Sequence, residues 1–178
     1  MRYLFRKRIL RAAAALLDAT GLLWKLASPR RGKNKGPRRF LVVRLDHLGD
    51  VLFASAIPQL LKENEAGCRV SFLTSSAGAA LLQNNPFVDE VLVYDAPWFA
   101  RKKGQASGTL LTLLRKIKSG KFDAALCPRG DIRENWLVWA AGIFERVGYG
   151  VTGGGFFLSH PLAYRSGAHE REHTLDVL

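Results

Sequence analysis

The sequence predicts an α/β protein with a Rossmann-like, doubly wound parallel sheet. The first observation is the apolar run 40–43, which has the character of a strand covered on both faces. The second is the helical spacing of Leu52, Ala56 and Leu60 that follows it, with a helix expected over 54–61. The third is that strand-like and helix-like segments then alternate along the chain, which is typical of a parallel sheet with helices on both faces.

The later elements follow from the same alternation. Predicted strands lie at 69–74, 91–94 and 122–127, predicted helices at 77–83, 109–118 and 134–143, and short late strands at 146–149 and 156–158. In open parallel sheets, ligands bind in the crevice beyond the carboxyl ends of the strands. Residues that directly follow a predicted strand are therefore the first candidates for a functional site.

The charge divides the chain into two regions. Of the formal net charge of +12, residues 1–39 carry +11 and residues 40–178 carry +1. We predict a basic amphipathic helix and linker over residues 1–38 and a Rossmann-like domain over residues 39–178. The 178 residues suffice for one principal core.

The basic segment has a helical pattern over residues 3–26. Lys7, Arg11, Asp18 and Lys25 would share one stripe, with aliphatic residues opposite. We expect residues 2–27 to bind an anionic membrane surface, because interfacial helices place cations near headgroups. Packing on its own domain or on a partner fits the pattern equally well. The basic residues alternate with aliphatic rather than stacking aromatic side chains, so no nucleic-acid partner is expected.

The composition also indicates a compartment. The two cysteines, Cys68 and Cys127, lie in predicted core segments, which favours a reducing environment and a cytoplasmic location over a disulfide framework. Arg11, Asp18 and Lys25 interrupt the best apolar stretch. We therefore predict neither a membrane span nor a cleaved signal peptide.

The loop after the first strand holds five residues of chemical interest: Arg44, Asp46, His47, the hinge-like Gly49 and Asp50. Arg44 could grip a carboxylate or phosphate of a ligand, or could pair with Asp46 or Asp50. Asp50 could act in the crevice, or could cap the helix that follows. His47 could line the crevice or lie on the surface.

A second basic turn follows the fourth predicted strand. Arg129 and Arg133 flank the start of a helix at this point, where the helix N-terminus favours anions. They could bind anionic groups of a ligand, and solvated surface arginines are a nearly equal alternative.

Several motifs occur in an order and spacing that resemble glycosyltransferase family 9, the lipopolysaccharide heptosyltransferases. They are Arg44-x-Asp46-x-x-Gly49-Asp50, the helix at 54–61, Phe72-Leu-Thr, Asn85-Pro-Phe-Val-Asp-Glu-Val, Phe122-Asp123 and Arg129-Gly-Asp-Ile-Arg133. The resemblance covers residues 39–178 and implies the N-terminal, acceptor-binding half of a GT-B fold. It also implies that the donor-binding domain is absent from this chain, with Leu175 and Leu178 beginning an apolar pattern that points onward.

The resemblance implies an inverting transfer of heptose from ADP-heptose, or of a related sugar from a nucleotide donor, to the lipopolysaccharide core at the inner membrane. Asp50 matches the catalytic base, with Asp46 in reserve. The residues that would bind the lipid-linked oligosaccharide acceptor are Arg44, Asp46, His47, Gly49, Arg129 and Arg133. The family implies no metal and no cofactor beyond the donor substrate, and no activity is expected from this chain alone. The alternative is a non-catalytic module that binds a membrane or a partner.

Other short patterns carry less weight. His169-Glu-Arg-Glu-His173 fits a zinc-protease pattern, but charged residues flank it and no third ligand is evident. Gly148-x-Gly150-x-x-Gly153 fits a dinucleotide fingerprint, but no helical pattern follows, so we interpret it as a turn between late strands. An ordinary nucleotide-binding Rossmann protein would need several glycines after the first strand, where this sequence has only Gly49.

Overall fold

The computed structural model describes residues 36–98 and 109–178. In chain order, the elements of these residues are β1 Arg39–Val43, α1 Leu48–Ala54, α2 Ile57–Asn64, β2 Arg69–Thr74, α3 Ser76–Leu82, β3 Glu90–Val93, α4 Leu110–Gly120, β4 Ala124–Cys127, α5 Ile132–Ala140, β5 Glu145–Tyr149, a 3₁₀ turn Gly155–Phe157, β6 His160–Leu162 and α6 Glu170–Leu175. The predicted N-terminal helix and its membrane-binding segment 2–27 lie outside the described residues. Those predictions are therefore unchanged.

The six strands form one parallel sheet in the order β3-β2-β1-β4-β5-β6. This is the strand order of the doubly wound Rossmann fold, so the predicted fold class is confirmed. The order switches direction between β1 and β4, which pair side by side. The loops after these two strands therefore meet at the switch point of the sheet, where ligands bind in folds of this kind.

Alternate residues of β1 enter two separate cores. Leu41 and Val43 face the layer formed by α4 and α5, whereas Phe40 and Val42 face the layer formed by α1, α2 and α3. Successive strand residues point to opposite faces, and here both faces are covered. This is why the predicted strand is apolar without alternation.

One predicted helix is two helices. The chain bends at Ser55 and Ala56 and starts again as α2, with Pro58 at its second position. Proline lacks the N–H that a continuous helix would need and crowds the preceding turn, so the break has a local cause. The residues at helical spacing do not form the buried face: Leu52 and Ala56 are exposed, while Val51, Ala54, Ile57 and Leu61 are buried.

The end of the sheet also differs from the prediction. The strand predicted at 146–149 is confirmed as part of β5, but residues 156–158 do not form a strand. The 3₁₀ turn Gly155–Phe157 takes that place, preceded by Gly154 in the left-handed region at φ 77°, and the sixth strand begins at His160. Within 36–98 and 109–178, no helix has both the length and the apolarity needed to cross a bilayer.

Candidate active site

The loops that follow β1 and β4 meet through a direct ion pair. Nη1 of Arg129 donates to Oδ2 of Asp46, although the two residues are 83 positions apart in the chain. Parallel pairing of Phe40 with Ala124 and of Val42 with Leu126 brings these loops to the same edge of the sheet. The residues predicted from two separate motifs thus form one cluster.

Arg44 lies at the centre of this cluster. Its Nε is 2.8 Å from Oδ1 of Asp46, and its Nη2 is 3.3 Å from Oδ1 of Asp50 and 2.9 Å from Oε1 of Glu170. Burial by itself would lower the pKa of Arg44, but the charge of Asp46, the hydrogen bond to Glu170 and the charge of Asp50 more than offset burial and raise it. Arg44 therefore stays charged. It pairs with Asp46 and Asp50, which was one of the two interpretations of Arg44 that the sequence allowed.

The two aspartates of the loop differ in their access to solvent. The Asp46 side chain is 2% exposed, whereas that of Asp50 is 25% exposed. Burial raises the pKa of Asp46 against the opposing charges of Arg44 and Arg129. Asp50 is therefore the carboxylate of the pair that an incoming hydroxyl can reach.

The capping alternative for Asp50 does not describe this structure. His47 occupies the N-cap position of α1, and its side chain makes no capping hydrogen bond. Asp50 lies in the first turn, where its charge suits the helix dipole, and its carboxylate contacts Arg44.

A further carboxyl lies below the loop and was not among the predicted site residues. Glu134, in the first turn of α5, is fully buried, and the amide of Leu45 donates a long hydrogen bond of 3.4 Å to its Oε1. Burial, together with the charges of Asp46 and Asp131, raises the pKa of Glu134 to about 8 against the opposing charges of Arg129 and Arg44. Near neutral pH this carboxyl is therefore largely protonated.

Arg133 is held by Asp131, the N-cap of α5. Its Nε and Nη2 donate to the two Asp131 oxygens at 2.8 and 2.6 Å, and its guanidinium carbon lies 5.1 Å from the centre of the Trp98 ring. These contacts fix the orientation of the guanidinium, unlike that of a freely solvated surface arginine. The Arg133 side chain is 43% exposed, so a ligand can still reach it. Arg129 is 27% exposed and lies between Asp46 and Asp131.

His47 and Gly49 form the exposed rim of the site. A Cβ placed on Gly49 would meet nothing within 4 Å, so open space lies above this backbone. Gly49 lies inside α1 and is not among the glycines with positive φ. The predicted hinge-like role therefore has no support in its backbone conformation.

The histidines of the rejected zinc pattern have structural contacts instead. His169 is the N-cap of α6, and His173 is buried with its ring stacked on Tyr164 at 4.1 Å. Glu170, between them, binds Arg44. Within the described ranges, no group of three or more histidine, cysteine or acidic side chains is placed to hold a metal ion.

The glycine pattern of the rejected dinucleotide fingerprint is divided between two elements. Gly148 belongs to β5, and a turn through Gly153 and Gly154, both with positive φ, leads to the 3₁₀ segment. No helix starts there to receive a pyrophosphate.

The sheet order and the position of the candidate site at its switch point define the class: a Rossmann-like α/β domain. Three solved structures have this fold. E. coli ADP-heptose LPS heptosyltransferase II matches with a TM-score of 0.64 and 16% sequence identity, and E. coli heptosyltransferase WaaC with ADP matches with a TM-score of 0.63 and 15% identity. The glycosyl transferase family 9 protein from Veillonella parvula matches with a TM-score of 0.62 and 19% identity. In that order, they match 78%, 78% and 79% of this chain, which covers 39%, 45% and 40% of theirs.

In sequence, the chain is 25% identical over 133 residues to the Haemophilus influenzae protein named "Putative glycosyltransferase". The match takes in 75% of this chain and 36% of that relative. No family model matches the chain. The chain thus spans less than half the length of each of these relatives, and the predicted resemblance to glycosyltransferase family 9 is confirmed.

Proposed function

We propose that this chain is the acceptor-binding half of an inverting glycosyltransferase that transfers heptose from ADP-heptose to the lipopolysaccharide core. Both E. coli proteins that share this fold are heptosyltransferases, one of them an ADP-heptose LPS heptosyltransferase, which supports this substrate class. The observation that carries the proposal is the position of Asp50. It is a partly exposed carboxylate at the switch point of the sheet, held from below by a buried arginine.

In the proposed reaction, Asp50 accepts the proton of the acceptor hydroxyl. The hydroxyl oxygen then forms a bond to the anomeric carbon of the sugar. At the same time the bond between that carbon and the nucleoside diphosphate breaks, and its electron pair leaves with the diphosphate. A positioned carboxylate suits this step because it needs only hydrogen-bond reach to the attacking oxygen. Arg44 orients the carboxylate through Oδ1 and keeps it next to the crevice.

The acceptor is proposed to lie over the rim formed by His47 and Gly49. Arg129 and Arg133 are the partly exposed guanidinium groups at this edge, and they would pair with its phosphates or carboxylates. The proposal requires no metal and no cofactor beyond the nucleotide-sugar substrate. Asp46 remains the reserve base, although its burial disfavours that role.

The experiment uses the complete protein that contains this chain. Asp50→Asn should lower kcat for sugar transfer by roughly 10²- to 10⁴-fold, the usual contribution of a general base. Glu63→Gln, an exposed change on α2, is the matched control and should leave kcat within about twofold. Circular dichroism checks the fold of both variants. Turnover near that of the unmodified protein in Asp50→Asn would contradict the role of Asp50 and favour a non-catalytic binding module.

We further propose that the protein works at the cytoplasmic face of the inner membrane, with residues 2–27 on its anionic surface. The support is the net charge of +5 carried by residues 2–27, which hold six Lys/Arg against the single Asp18. The complete protein should sediment with phosphatidylglycerol vesicles and not with phosphatidylcholine vesicles, and the binding should weaken with salt. Binding that persists after deletion of residues 2–27 would contradict this location of the contact.

A further inference from the structure

Glu134 is a buried acid that the proposed reaction does not use. Its side chain lies under the loop that carries Arg44, Asp46 and Asp50, at 0% exposure. Its Oε1 accepts the Leu45 amide at 3.4 Å, and its Oε2 is buried without a hydrogen-bond partner. An ionised carboxylate with one unsatisfied oxygen is costly in a protein interior, so the geometry favours the neutral form.

The charged groups around Glu134 come from each side of the site. From the β1–α1 loop these are Arg44 and Asp46, and from its own helix start they are Asp131 and Arg133. The turn after β4 contributes Arg129, and β4 itself contributes the buried thiol of Cys127. An additional negative charge at this point would therefore face two carboxylates and would compete for the arginines that hold them.

We propose that Glu134 is a positioning residue that, as a neutral acid, fixes the start of the catalytic loop through Leu45 and leaves Arg44 and Arg129 to Asp46 and Asp50. This inference rests on the proposed glycosyl transfer. Ionisation of Glu134 draws the two arginines toward it, and the carboxylate of Asp50 then loses the contact that orients it. The raised pKa of Glu134, about 8, places this change on the alkaline side of neutrality.

The test compares the complete protein with Glu134→Gln, because glutamine keeps the shape of the neutral acid and cannot ionise. For a single group titrating near pH 8, kcat of the unmodified protein should fall about tenfold between pH 7 and pH 9, whereas kcat of Glu134→Gln should change by less than about twofold. Glu63→Gln, an exposed carboxyl on α2, should keep the alkaline fall. The same alkaline fall in Glu134→Gln would overturn the proposal.

A second measurement does not depend on turnover or on the variant. Carbon-13 NMR of glutamate carboxyls in the unmodified protein should show one resonance that titrates near pH 8, and the Leu45 amide shift should follow the same midpoint. A Leu45 amide that does not move over this range would overturn the positioning role. If these titrations occur but no sugar transfer is found with any donor, the proposed function is contradicted. The coupling of Glu134 to the Leu45 amide would then be shown without a role in sugar transfer.

Discussion

Nη2 of Arg44 contacts the carboxylates of both Asp50 and Glu170, at 3.3 and 2.9 Å, so one buried guanidinium joins the β1–α1 loop to the start of α6. The Arg44 side chain is 2% exposed, whereas Glu170 is 40% exposed. The two ends of this link therefore differ in their importance for stability. A buried charge that loses its partner lowers the free energy of unfolding strongly, whereas an exposed charge that loses its partner is solvated by water and lowers it little.

Arg44→Met should lower the free energy of unfolding by about 3–5 kcal/mol, because Asp46 would remain buried without its central partner. Glu170→Gln should lower it by less than about 1 kcal/mol, since Arg44 keeps Asp46 and Asp50 as partners and its pair with Glu170 is partly exposed to solvent. Urea denaturation of both variants under the same conditions measures the difference. Equal losses in the two variants would show that Arg44 is not the buried centre of the cluster.

The two glycines of the site motifs should respond in opposite ways to alanine. Gly130 has φ 75°, and a Cβ there would lie 2.7 Å from Cβ of Tyr149 and 2.8 Å from its carbonyl oxygen. Gly130→Ala should therefore destabilise the fold by about 1–3 kcal/mol or more. Gly49→Ala, in open space within α1, should leave stability unchanged or raise it by up to about 1 kcal/mol.

Gly49→Ala also tests the acceptor prediction, since a methyl group would enter the space above the rim. We expect the KM for the acceptor to rise while thermal stability is kept. Initial-rate kinetics with the complete protein measure this change. An unchanged KM in a folded variant would indicate that the acceptor does not approach the backbone at Gly49.

The sequence predicted the sheet, and the sheet edge at which the candidate residues meet, for a physical reason. Apolar runs mark strands that are covered on both faces, and the carboxyl ends of parallel strands share one edge. The meeting of Asp46 with Arg129 follows from those two facts, although nothing in the sequence fixed their direct contact. The break before α2 also had a signal in Pro58, which the helical spacing of Leu52, Ala56 and Leu60 obscured.

The remaining site residues could not be predicted in the same way. Glu134 lies in the first turn of a helix and Glu170 lies in a charged segment, and both positions usually face solvent. Their contacts with Leu45 and Arg44 join residues 89 and 126 positions apart. Only the packing of α5 and α6 around the loop decides that these acids reach the site.

The ion pair of Asp131 with Arg133 should make stability depend on acid pH. Burial alone would raise the pKa of Asp131, but the hydrogen bonds and charge of Arg133 and the charge of Arg129 lower it. A carboxyl with a lowered pKa in the folded state stabilises the protein above its unfolded pKa of about 3.9, and this contribution is lost as the pH falls through the folded value.

Asp131→Asn keeps a residue that can cap α5 but removes the charge. The variant should be less stable than the unmodified protein by about 1 kcal/mol at pH 7, because hydrogen bonds to charged groups are lost and Arg133 is partly exposed. The difference should shrink below pH 4. Urea denaturation at pH 7 and at pH 3 measures it, and a difference that does not vary with pH would assign the effect to capping alone.

Arg129 is the guanidinium that both closes the Asp46 cluster and reaches the exposed edge of the site. Arg129→Lys keeps the positive charge for Asp46 but loses the planar fork that binds a phosphate or carboxylate with two hydrogen bonds. The acceptor KM should rise about tenfold, the effect of losing roughly 1.4 kcal/mol of binding, and kcat should fall by much less. Lys116→Gln on α4, which is 55% exposed, removes a charge at the amino end of β3 and should leave KM unchanged. An acceptor KM that rises in Lys116→Gln would indicate a general electrostatic attraction, and one that does not rise in Arg129→Lys would place the acceptor away from Arg129.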